Sequence, residues 1–154
     1  MSLDATGILA QAPLFQGVAE KELNQLAALV FVNVLGADDV VCQEGDHSDF
    51  MCLVADGCLD VLKQNAAGKP TSIAHCHVGD VLGEMTLLDG KARSATIVAL
   101  QPTTLLVLTK KAFDQFRKRE PYAASIVIEN IAKQLSDNLR RTSARLAKFV
   151  PPLV

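Results

Sequence analysis

Residues 83–99 read GEMTLLDGKARSATIVA. Glu84 stands in the first turn of this stretch, and a single arginine, Arg93, follows nine residues later between small residues. Apolar residues surround both. Opposite charges so placed are either a buried ion pair or two halves of a binding site. The preceding GDVL, residues 79–82, reads as a strand end, and Glu84 to Leu88 reads as a single helical turn behind Gly83. Such a start presents free backbone N–H groups and a positive dipole end, which suits an anion. The Arg93 guanidinium, the Ser94 hydroxyl and the small Ala95, which lets backbone come close to a ligand, suit a phosphate at the same spot. Glu84 would repel a phosphate, so it is expected to face a donor such as a sugar hydroxyl. Phosphate at one end and ribose hydroxyl a few ångströms away describe a nucleotide.

Outward from this stretch, short apolar runs recur from 30 to 108, at 30–35, 50–54, 58–62, 95–99 and 104–108, between turn signals rich in Gly, Asp, Asn and Pro. Many short strands at this spacing predict an antiparallel sandwich or barrel. Asp56-Gly57, flanked by FMCLVA and CLDVL, reads as a tight hairpin. Residues 10–29 read as an N-terminal helical part: Leu23, Leu26, Ala27 and Val30 share one face, and APLFQGV before them reads as a packed turn. Residues 109–149 read as a hinge and a long helix. Phe113 and Phe116 lie on one side of a short helix, and Pro121 then opens a second that runs without a breaker to about Lys148, stopped by the closing PPLV.

The 154 residues are expected to form one domain, 1–154, with enough apolar content (49%) for a real core and a charged fraction of 21%. A net charge of −2 gives no reason for strong attraction to nucleic acid or an anionic membrane. No apolar run approaches the ~18 residues that span a bilayer, and MSLDATGILAQAP is a poor secretory signal. The four cysteines show no CxxC pair, so they read as reduced, mostly core residues of a cytoplasmic protein.

The 83–99 stretch resembles the phosphate-binding cassette of cyclic nucleotide-binding domains, the β-roll family of the catabolite activator protein and the regulatory subunits of cyclic AMP-dependent kinase. The glycines of EGD (44–46), DG (56–57) and GD (79–80) resemble that family's turns. The resemblance implies a mainly β fold: a double-stranded β-helix, or jelly-roll-like β-roll, with an N-terminal helix and a long C-terminal helix. It implies no resident cofactor and a ligand that is cyclic AMP, with cyclic GMP as the alternative. Arg93 would pair with the exocyclic phosphate oxygens, helped by Ser94 and the N–H groups of Gly83, Ser94 and Ala95. Glu84 would accept from the ribose 2′-hydroxyl, and Leu82 and Met85 flank the pair as further ligand-binding candidates. Serine rather than threonine after the arginine leans toward cyclic AMP. Ala92 departs from the family, which usually has proline there, so the loop presenting Arg93 is less stiff.

Ile128, Ile131, Leu135, Asn138 and Thr142 follow spacings of 3, 4, 3, 4, with Leu146 and Phe149 continuing the face. The first turns are expected to pack on the roll and the later ones to meet a partner helix, which makes a homodimer. Asn138 is then a polar seam residue, and by resemblance it or a neighbour, Arg141 or Thr142, touches the base. The basic residues of the C-terminal third read as a solvated face. No helix-turn-helix sequence follows the long helix in these 154 residues. As a complete chain its expected output is an unidentified downstream protein, with no direct nucleic-acid or membrane contact; as a piece of a longer regulator its effector lies elsewhere. Two other readings stand beside the sensor, which is not an enzyme. One is a scaffold that dimerises and binds nothing small. The other is a cupin-type metal-dependent enzyme using His75 and His77 on one strand face, although Glu84 is spaced too far from them for that pattern.

Overall fold

The computed structural model describes residues 3–151, so Pro152 and the last two residues of the closing PPLV lie outside it. Two antiparallel four-stranded sheets stack face to face, with helices against one of them. The strands are β1 (Phe31–Leu35), β2 (Val40–Cys42), β3 (Phe50–Asp56), β4 (Leu59–Gln64), β5 (Pro70–Cys76), β6 (Val81–Leu82), β7 (Thr96–Ala99) and β8 (Thr103–Thr109). One sheet runs β1-β8-β3-β6 and the other β2-β7-β4-β5. The expected mainly β roll with flanking helices is therefore the observed fold.

The continuous apolar runs have a direct cause. In β3 and β8, paired as Cys52↔Val107 and Leu53↔Leu106, Cys52, Val54, Leu105 and Val107 face the opposite sheet. Met51, Leu53, Leu106 and Leu108 face the helices. A sheet covered on both faces needs no polar alternation.

Asp56-Gly57 is not a hairpin. β3 and β4 belong to different sheets, and the dipeptide turns the corner between them. Gly57, at φ +99°, allows the turn: a Cβ there would overlap the Thr103 hydroxyl and stand 2.7 Å from the Pro102 carbonyl oxygen. The tight hairpin joins β4 to β5 instead, with the Asn65 N–H donating to the Lys69 carbonyl at 2.8 Å.

The N-terminal helical structure begins before residue 10 and is interrupted. Helix α1 (Ala5–Gln11) is capped by Asp4, whose carboxylate accepts from the Gly7 N–H at 3.1 Å. Pro13 forces Ala12 into an extended conformation, which ends the helix. A single turn at Pro13–Phe15 follows, then α2 (Glu20–Leu29). Helix α3 (Glu84–Asp89) is the short turn of the cassette. Helix α4 (Lys110–Arg119) buries Phe113 and Phe116. Pro121 opens α5 (Pro121–Ala147), whose Ala123, Ala124, Val127 and Ile131 are buried. From Ser136 to Pro151 every residue of the chain is exposed.

Candidate functional site

A cavity of about 970 Å³ opens between the cassette, strands β4 and β5 and the middle of α5. Leu82, Gly83, Glu84, Met85, Arg93, Ser94, Ala95 and Asn138 all line it. Residues 82–85 come from the end of β6 and the first turn of α3, and residues 93–95 from the loop before β7. Asn138 enters from the opposite wall, with Asn130, Gln134 and Arg141 of the same helix.

The glutamate and arginine are both buried, at 8% and 7% exposure, yet they form no ion pair with each other. Among the described residues Arg93 takes part in none. Its guanidinium carbon lies 4.5 Å from the centre of the Phe50 ring, and Nη2 donates to the Phe50 carbonyl oxygen. Nε is buried with no hydrogen-bond partner. Gly83, in the left-handed region at φ +76°, lies flat against the guanidinium; a Cβ there would overlap Nη1. Burial pushes the Glu84 carboxyl above its usual range, opposed by its own backbone N–H and the Arg93 charge.

The loop around Arg93 is tied to the Gln43–Asp46 turn. The Arg93 N–H donates to the Asp46 carbonyl and the Gly45 N–H to the Arg93 carbonyl, each at 2.8 Å. The Glu44 N–H donates to the Thr96 hydroxyl at 2.9 Å. Lys63 of β4 donates to the Ser94 carbonyl at 2.6 Å and pairs with Glu44 at 3.0 Å. The N–H groups of Gly83, Ser94 and Ala95 donate to no backbone carbonyl among the described residues. A buried guanidinium, free amide donors and a carboxylate on one wall can hold an anion and a hydroxyl of the same small molecule.

On the far wall, Arg141 donates to Asn138 Oδ1 at 2.9 Å. Both side chains line the cavity. The residues not anticipated are Phe50, Lys63 and Glu44. Phe50 reads as an ordinary strand aromatic, and Lys63 carries no signal, because both reach the cassette only through sheet pairing. His75 and His77 do not share a strand face. His77 lies past the end of β5. His75 sits 3.5 Å from Asp60 and His77 3.7 Å from the Cys58 sulfur. Among the described residues no group of three or more His, Cys, Asp or Glu is placed to hold a metal ion.

Two stacked antiparallel sheets, a short cassette helix and a buried arginine at an open cavity define a β-roll. The cyclic nucleotide-binding domain family matches residues 32–120, and the chain belongs to that family. It is 29% identical over 135 residues to the cyclic AMP receptor protein of Thermus thermophilus, covering 88% of this chain and 61% of that one. The chain thus spans less than two-thirds of that relative's length. A cyclic nucleotide-binding domain from Methylobacillus flagellatus superposes with a TM-score of 0.84 at 27% identity, over 97% of this chain and 85% of that one. The regulatory domain of Toxoplasma gondii PKA, crystallised with cAMP, superposes with a TM-score of 0.68 at 27% identity, over 73% of this chain and 42% of that one. No described helix is long and apolar enough to cross a membrane.

Proposed function

We propose that the protein is a cyclic nucleotide sensor, for cyclic AMP in preference to cyclic GMP, that signals by moving its C-terminal helix and catalyses nothing. The observation that carries this reading is Arg93: 93% buried by its 7% exposure, unpaired with any carboxylate and lining the cavity beside Gly83 and Glu84. A guanidinium desolvated without a counter-ion awaits an anion. In this reading Arg93 and the free N–H groups of Gly83, Ser94 and Ala95 hold the cyclic phosphate, with the Ser94 hydroxyl adding a bond. Glu84 accepts from the ribose 2′-hydroxyl, Leu82 and Met85 pack beside the ribose, and Asn138 with Arg141 meets the base. Ser94 in place of threonine favours adenine by family resemblance.

Movement follows from differential contact. Ligand bound to the cassette gains the Asn138 and Arg141 contacts only when α5 closes, so it favours the closed form by the strength of those contacts. The hinge would lie at the α4–α5 corner, where Phe113 and Phe116 anchor one side and Gln25 donates to Glu120 at 3.1 Å. The exposed half of α5 would meet a second copy, and the cytoplasmic output is a downstream protein rather than DNA or membrane.

The test is calorimetric titration with cyclic AMP and cyclic GMP, beside Arg93→Ala. Each charge-assisted bond contributes about 1.5–3 kcal/mol, so the variant should bind at least about tenfold more weakly. Ligand should also raise the wild-type melting temperature. A well-folded protein that binds neither nucleotide would leave a scaffold that holds no small ligand.

A further inference from the structure

We propose that Phe50 is the positioning residue for Arg93, holding its guanidinium in the cavity wall without neutralising it; this rests on the sensor reading above. A buried guanidinium must recover the hydration it loses. A carboxylate would do so, but it would also cancel the charge that an anionic ligand needs and compete with that ligand. An aromatic face and a carbonyl oxygen supply negative potential with no formal charge. Phe50 offers both: its ring lies 4.5 Å from the guanidinium carbon and its own carbonyl accepts from Nη2.

The arrangement is tightly framed. Phe50 opens β3, paired with Thr109 of β8, so its carbonyl is fixed by the sheet. On another side the missing Cβ of Gly83 leaves room for Nη1, with the Phe50 carbonyl 2.9 Å from where that atom would stand. Nε is left buried without a partner, while Arg93 lines the cavity. One aromatic residue thus orients the group and leaves its charge available.

The test replaces Phe50 by Leu, by Tyr and by pentafluorophenylalanine in the full chain, and titrates each with cyclic AMP. Leu and pentafluorophenylalanine should weaken binding about 3- to 30-fold, and Tyr should stay within about twofold of wild type. Pentafluorophenylalanine keeps the ring's shape while reversing its electrostatics, so a purely packing role would not respond to it. Melting temperatures without ligand control for folding. Weakening by Leu with none from fluorination overturns the electrostatic role, as does unchanged affinity in all three variants beside a binding wild type. A wild type that binds neither nucleotide overturns the sensor reading and this role with it.

Discussion

Gly83 and Arg93 occupy each other's space: the guanidinium of Arg93 fills the volume where any side chain at position 83 would begin. Gly83 also holds φ +76°, at the cap of α3. Gly83→Ala should therefore act twice. The left-handed backbone costs about 1–2 kcal/mol for a residue with a Cβ, which a urea titration reads as a lower midpoint. The new methyl also pushes the guanidinium off Phe50, so calorimetry should show cyclic AMP binding weakened at least about tenfold. Loss of stability with unchanged affinity would show that the guanidinium position is not what binds.

Glu84 gives a pH dependence of fixed sign. Burial raises its folded-state value above the ordinary ~4.3 of an unfolded glutamate, so the native state holds the proton more tightly. Stability from this group is present below the unfolded value and declines as pH rises through the folded one. Glu84→Gln should remove that decline, leaving the variant at least as stable as wild type at neutral pH. Ligand binding has the opposite slope. A carboxylate that accepts from the 2′-hydroxyl must be ionised, so affinity should fall as pH drops through the raised value. Glu84→Gln should flatten that slope, and 2′-deoxy cyclic AMP should bind the two proteins alike. A difference between wild type and variant that persists with the deoxy ligand would sink the ribose assignment.

Gly57 supplies a contrast away from the cavity. The corner between β3 and β4 brings residue 57 against the Pro102–Thr103 backbone, and the Thr103 hydroxyl accepts from the Cys58 N–H at 3.3 Å and donates to the Gln101 carbonyl at 2.8 Å. Gly57→Ala must strain φ and displace this backbone, so it should cost about 1–3 kcal/mol. Affinity per folded molecule should not change. Equal stability in chemical denaturation would mean that the corner relaxes more freely than its packing implies.

The same corner shows what local sequence can and cannot convey. The cassette is legible because its determinants are local: a glycine before a short turn, and a glutamate and arginine among small and apolar residues. Asp56-Gly57 misleads because the dipeptide only specifies a turn, while β8 decides the partner by taking its place between β1 and β3. β5 escapes the periodic reading since all but Cys76 is exposed, leaving no apolar face to betray it. Phe50 is silent for a related reason. Its contact to Arg93 spans 43 positions, and nothing near it in the chain announces a cation.

The exposed half of α5 carries the remaining test. Asn138 lines the cavity, and an exposed apolar stripe runs beside it. One residue on, Leu139 is 67% exposed, and Leu146 and Phe149 are 59% and 82% exposed. Within α5, residues 135, 139, 142 and 146 keep spacings of 4, 3 and 4, the repeat of a two-helix seam. A second copy laid along this stripe would cover those apolar side chains while leaving Asn138 free for the base. Leu139→Asp with Leu146→Asp should therefore shift sedimentation equilibrium from dimer toward monomer. Both positions are solvated in the single chain, so at concentrations where wild type is also monomeric the unfolding free energy should move by no more than about 0.5 kcal/mol per site. Ligand affinity should fall only if the second copy also shapes the base contact. A wild type that sediments as a monomer at every concentration would remove the homodimer and leave this stripe for a different partner.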